Sequence, residues 1–419
     1  IALKVFSLFL EGYTFVMWEV ISGLFLVFYG VRLMRRRNAG RVALGVAILG
    51  LGTGIAYFAY GNYIPAGTQY DVMSADFFRG QGVDLTTLFM PYRNGTLIAY
   101  LFGVGNSYSD PLAYYSDGSN ILWNFLGVVL PLCAIGFLFV RKTLNAFLVA
   151  LAASLVIGFF LSLGPSIKIN ALRPSSSNEG PITFEDYLMP PEAASFNLGT
   201  DALFTSIPGL NNMRATYRWL LIPKTVMIIF AALFLSRLID SGHGRLALLI
   251  VVLLVIEMIP PLPELDRISK LNEQTREFID RDLVETLKSH IQPREYLLFL
   301  SPPPQNDFLA NYIVPPLDAV SYNVGGDKNF VLARAHDPEE VLNIWQFVDV
   351  NENVYGLMQR GLLDWLVIPY FSLRWDSYKW PPSENQRLTS KDSLLAVFDT
   401  TDSRFEYIEE KYYMLVKLR

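Results

Sequence analysis

The stretch TFVMWEVISGLFLVFYGVRLMRRRNAGRVALGVAILGLGTGIAYFAY, residues 14–60, decides the fold class. Two apolar runs, Thr14–Leu33 and Val42–Tyr60, flank a short connection that holds Arg35, Arg36, Arg37 and Arg41. At 1.5 Å per residue, a helix of about 20 residues crosses a hydrocarbon layer of roughly 30 Å. Either run alone would pass for a buried helix of a soluble protein. The pair joined by arginines reads as a membrane hairpin.

Four more runs extend the pattern: Ile121–Val140, Leu144–Leu163, Trp219–Ile239 and Leu246–Ile259. Arg237 interrupts the fifth, but its long stem can carry the charge to the surface. The sixth is short and ends in IPPLP. Six such blocks in 419 residues, with 52% hydrophobic and 17% charged residues, fit a polytopic helical membrane protein. Arg35–Arg41, Arg141 with Lys142, and Arg237, His243 with Arg245 fill the three short connections. The positive-inside rule puts all three on the cytoplasmic side. Residues 61–120, 164–218 and everything after Pro260 are then expected outside. The chain opens at Ile1 without a basic leader, which points to a longer protein.

The expected organisation is a transmembrane domain over residues 1–261 and an outward α/β domain over residues 262–419. In the first outer loop, DVMSADFFRGQGVDLTTLFMPYRN reads as short amphipathic helices against the bilayer surface. Beyond Leu262, REYLLFLS, KNFVLAR and LDWLVIPYF read as strands, and PEEVLNIWQFVDV and NVYGLMQRGL as helices. LLAVFDTTDSRFEYIEEKYYMLVKLR closes the domain as strands around a turn. Trp365, Tyr370, Trp375 and Trp380 are read as core or interface aromatics before glycan-stacking ones.

Several chemistries are excluded. Three histidines and one cysteine, Cys133, make neither a zinc cluster nor an intrachain disulfide. No phosphate loop, dinucleotide fingerprint or nucleophile elbow occurs. The Gly325-Gly326 pair reads as a turn. A net charge of −5 does not by itself point to nucleic acid. The loop acids Asp71, Asp76 and Asp84, near Arg79 and Arg93, are more informative, as are Asp110 and Asp117. A carboxylate there can serve as general base on a sugar hydroxyl, hold a divalent cation such as Mg or Ca, or simply pair with arginine. PGLNNMRATYRW, residues 208–219, places Arg214 and Arg218 before the fifth span. As a helix it would set both on one face, with Lys224 beyond them. Such a rim suits the phosphate of a lipid-linked substrate, or equally lipid headgroups.

YYSDGSNILWNFLGVVLPLCAIG, LSLGP (161–165) with IPGLNNMRATYRW, and GLLDWLVIPYF with EYIEEKYYMLVKL together resemble the later portion of bacterial YfhO-like proteins. These are membrane glycosyltransferases of the GT-C superfamily. The resemblance implies inverting transfer of a sugar from a polyprenyl-phosphate donor to an envelope glycan or lipid acceptor on the outer face of the cytoplasmic membrane. It implies Arg214, Arg218, Lys224 and Arg93 as donor-phosphate contacts. The family's first-loop aspartate has no counterpart before the first span, so Asp71 and Asp76 stand as substitutes for the catalytic base. A lipid-linked glycan transporter would need ionisable residues lining the span centres. Spans one to four show none that is clearly central, and Glu257 lies near the end of the sixth. A non-catalytic envelope-assembly scaffold is the third reading.

Overall fold

The structure is a computed structural model, and it describes residues 2–63, 72–92, 95–103, 105, 113–115, 124–140, 145–173, 187–301, 307–323, 334, 336–373 and 380–419. Asp71, Arg93, Asp110, Asp117, Arg141, Lys142, Gly325, Gly326 and Trp375 lie outside these, as does the expected strand at 328–334 except for Arg334. Among the described residues 62% are helical, and 5 helical segments there are long and apolar enough to cross a bilayer, so the chain is a helical membrane protein. It divides into two compact units, Ile1–Glu264 and Leu265–Arg419.

The first unit opens with α1 (Ala2–Leu10), which the sequence reading missed because nine residues make no span. Then come α2 (Gly12–Arg35), α3 (Ala39–Tyr63), and the short helices α4 (Ala75–Gly80), α5 (Leu85–Phe89) and α6 (Leu97–Phe102). Next follow α7 (Val129–Val140), α8 (Ala146–Leu163), α9 (Asp201–Ser206), α10 (Leu221–Asp240) and α11 (Gly244–Met258). A 3-10 turn, Thr216–Leu220, leads directly into α10.

Four expected spans correspond to α2, α3, α8 and α10, and the last to the helical run that starts at Gly244. The third does not. Its apolar run was expected to be helical from Ile121, but Asn124–Leu126 are not helical and Gly127 sits at φ +50. Helix α7 starts only at Val129, and its 12 described residues reach about 18 Å. Hydropathy does not register this break, because its cause is backbone geometry. Both Glu257 carboxylate oxygens accept from the Val128 N–H at 3.0 Å, which places negative charge at the start of α7. The positive φ favours glycine here, and a Cβ on Gly127 would lie 2.0 Å from the Glu257 carboxylate, so that side chain would have to move.

α8 and α10 form the centre of the bundle, whereas α2, α3 and α11 present most of their apolar surface outward. Leu44, Val46, Leu51 and Phe58 on α3 are among the exposed side chains, as expected for lipid contact. Close approach at the centre depends on glycine. A Cβ on Gly136 of α7 would lie 2.2 Å from the Phe230 carbonyl oxygen of α10, and one on Gly158 of α8 would lie 2.8 Å from Pro223.

The second unit holds a five-stranded sheet. Its strands are β3 (Tyr296–Phe299), β4 (Val320–Ser321), β5 (Trp365–Pro369), β6 (Phe405–Glu409) and β7 (Tyr413–Leu418), in spatial order β4-β3-β5-β7-β6. (β1, Ser166–Ile167, and β2, Phe196–Asn197, pair in the first unit.) β4, β3 and β5 run parallel, and β7 pairs antiparallel with both β5 and β6. Strand alternation divides the core in two. Leu297, Phe299, Val367 and Leu415 face one apolar cluster, while Leu298, Leu366, Ile368 and Val416 face the other with Val341, Ile344, Val354 and Leu357. Trp365, Tyr370 and Trp380 are core residues. The stretch Leu394–Phe398 is not strand: it ends the helix Glu384–Leu395, which a Ser383–Gln386 capping box begins.

Candidate functional site at the mouth of the bundle

The two long connections of the first unit bind each other at one end of the bundle. Val83 N–H donates to the Ser162 carbonyl (2.8 Å), Leu85 N–H to Lys168 (2.9 Å), Met189 N–H to Asp76 (3.0 Å) and Tyr217 N–H to Gln81 (3.0 Å). Gly82 permits this contact, since a Cβ there would meet the Leu163 carbonyl oxygen at 2.0 Å. Asp84 caps α5 through Thr86 N–H and also accepts from Asn170 N–H and Ala171 N–H (3.0 and 2.8 Å). The Lys168 ammonium is fully buried and donates to the Gly80 carbonyl at 2.7 Å. Burial lowers its pKa to about 7, although the nearby Asp84 carboxylate acts in the opposite direction.

This layer fixes the approach to α10. Gly209 turns at φ +90, a conformation that favours glycine, and packs against Val16 of α2. The following 3-10 turn buries Tyr217, Trp219 and Leu220 almost completely and leaves Arg218 half-buried. Its guanidinium donates to Glu11 Oε1 at 2.9 Å and lies 4.6 Å from the centre of the Tyr13 ring. Glu11 is the single residue between α1 and α2, with extended backbone. Glu11, Tyr13, Thr14, Met17, Tyr217, Arg218 and Leu221 line a cavity of about 310 Å³. One wall is thus an ion pair with an aromatic face, and another, Met17 with Leu221, is apolar.

Glu11 lies just before the first span, where the resemblance calls for an aspartate and the sequence offers a glutamate instead. The available signal was an acid directly before an apolar run, in EGYTF. The expected Arg214/Arg218 helical face is corrected. Met213–Ala215 are not helical and Arg218 belongs to a 3-10 turn, so the four-residue spacing does not give a shared α-helical face. Arg214 is half-buried outside the cavity lining. Lys224 lies in the first turn of α10, also outside that lining. Asp76 is elsewhere: it pairs with the buried Arg79, which also reaches the Met189 carbonyl (3.0 Å) and Asp201 (3.1 Å). Among the described residues no group of three or more His, Cys, Asp and Glu is placed to hold a metal ion.

Comparison with protein-family models, with curated proteins and with solved structures found no match.

Proposed function

We propose that the chain belongs to a GT-C-type membrane glycosyltransferase that uses a polyprenyl-phosphate sugar, and that the Glu11–Arg218 cavity receives the donor phosphate. The observation that carries this reading is a guanidinium at a span mouth, set in a cavity with one polar and one apolar wall. A lipid phosphate has the matching division: its anion suits the planar fork of Arg218, and its first isoprenoid carbons suit Met17 and Leu221. Glu11 occupies the anion position on Arg218 when no phosphate is present.

An incoming phosphate displaces Glu11 from the guanidinium. The freed carboxylate then stands beside the donor. An acceptor hydroxyl attacks the anomeric carbon from the face opposite the phosphate. Its O–H proton passes to Glu11, and the C–O bond to phosphate breaks with its electron pair leaving on the polyprenyl phosphate. Arg218 stabilises the charge on that leaving group. Phosphate needs no separate acid to depart.

The test is transfer from radiolabelled polyprenyl-phosphate sugars by the purified protein in lipid nanodiscs, with Arg218→Ala and Glu11→Gln alongside. Loss of transfer in both variants with unchanged folding supports the reading. Wild-type transfer by both refutes it.

A further inference from the structure

Residues outside the cavity form an ion-pair node inside the bundle. The Lys4 ammonium of α1 is 2.6 Å from Glu19 Oε1 of α2 and donates to Thr53 Oγ1 (2.7 Å) and the Leu49 carbonyl (3.0 Å) of α3. The Thr53 hydroxyl lies 3.1 Å from Glu19 Oε2 and 2.9 Å from the Leu49 carbonyl, and donates its one proton to one or the other. The lysine side chain is 7% exposed and that of the glutamate 22%. Glu19 lies seven residues into α2, about 10 Å along the helix. Glu19 is thus an ionisable residue inside the first span, nearer its start than its middle. Protein groups take all three lysine N–H bonds, and neither charge lines the cavity. The node has the features of a lock between helices and lacks those of a transport path.

We propose that Lys4, Glu19 and Thr53 are positioning residues, which lock α1 across α2 and α3 and so hold Glu11 in register with Arg218. Three features support this. α1 and α2 are separated only by Glu11, so the angle between these helices sets where its carboxylate goes. Ser7 Oγ donates to the Lys4 carbonyl one turn along α1, and the N–H of Glu11, just past the helix, donates to the Ser7 carbonyl. A nine-residue helix has little intrinsic stability, so tertiary contacts must fix it. A buried charge pair often adds little stability over an apolar pair but restricts the packing to one arrangement. The functional weight of the proposal rests on the Glu11–Arg218 reading; its structural content does not.

The test separates the two. Spin labels at exposed Phe6→Cys on α1 and at exposed Thr225→Cys on α10 are placed in a Cys133→Ala background in nanodiscs. Their distance distribution is compared with that of the same protein carrying Lys4→Met/Glu19→Leu, which replaces the pair with apolar side chains, or Thr53→Val, which removes only the bridge. The expected result is roughly twofold broadening in the apolar double variant and a smaller one in Thr53→Val, from a chain populating several α1 arrangements. Binding of polyprenyl phosphate is measured on the same samples. Broadening with weakened binding supports both readings. Broadening with unchanged binding supports positioning and counts against the phosphate site. A distribution as narrow as the parent's in a folded variant overturns the proposal, and Thr53→Val alone decides if the double variant does not fold.

Discussion

Arg218 donates to the Glu11 carboxylate at 2.9 Å across 207 positions of sequence. Both side chains are substantially exposed, at 40% and 47%. An exposed pair of this kind contributes only about 0–1 kcal/mol to stability. In the proposed phosphate site its place in an amphipathic cavity matters more than its strength, because a weak internal partner is easily displaced.

Arg218→Ala is therefore expected to change binding far more than folding. Losing a hydrogen bond to a charged group costs about 1.5–3 kcal/mol, or about 10- to 100-fold in affinity for a lipid phosphate. The midpoint of thermal unfolding should shift by no more than a few degrees, since the pair itself contributes about 1 kcal/mol or less. Lipid titration and thermal unfolding of one preparation check both halves.

Lys168 predicts a pH dependence. Its folded pKa is about 7 and its unfolded value is that of an ordinary lysine, so between pH 7 and the lysine range the unfolded chain binds more protons. Stability should accordingly rise as pH increases through that window. Lys168→Met should abolish this rise, whatever its effect on the midpoint at pH 7. Thermal midpoints measured from pH 7 to pH 9.5 on both proteins give the comparison.

In the second unit, buried Asp307 accepts from Ser301 Oγ (2.8 Å) and Asn323 Nδ2 (2.7 Å). Burial raises its pKa, although both hydrogen bonds lower it. Asp307→Asn would confront the Asn323 amide with a second amide, leaving one donor unsatisfied at a cost of about 1–3 kcal/mol. Denaturant unfolding of the full chain, read from the aromatic signal of this unit, should show that loss.

Gly136→Ala tests the bundle centre. The added methyl would lie 2.2 Å from the Phe230 carbonyl oxygen, so α7 and α10 must separate. Overpacking of this type costs about 1–3 kcal/mol. Gly50→Ala, with open space around its Cβ, should leave stability close to wild type.

The spans were legible because hydropathy integrates over many residues, and β3 and β5 because short apolar runs ended at clear turn signals. Three features were not. The late start of α7 depends on the positive φ of Gly127 within an otherwise apolar run. Glu11 and Arg218 meet only through tertiary packing of α2 against the Gly209 turn. Glu19 gains its partner Lys4 only from α1, a helix too short to be read as a span. Asp76 shows the opposite limitation: its attraction in the sequence was a nearby arginine, and that arginine proves to be its ion-pair partner.

The most direct measurement is the affinity of the purified protein in nanodiscs for a polyprenyl phosphate, for wild type, Arg218→Ala and Asp76→Asn. The phosphate site at the Glu11–Arg218 cavity predicts a loss of about tenfold or more for Arg218→Ala and near-wild-type affinity for Asp76→Asn. Wild-type affinity in Arg218→Ala would contradict it.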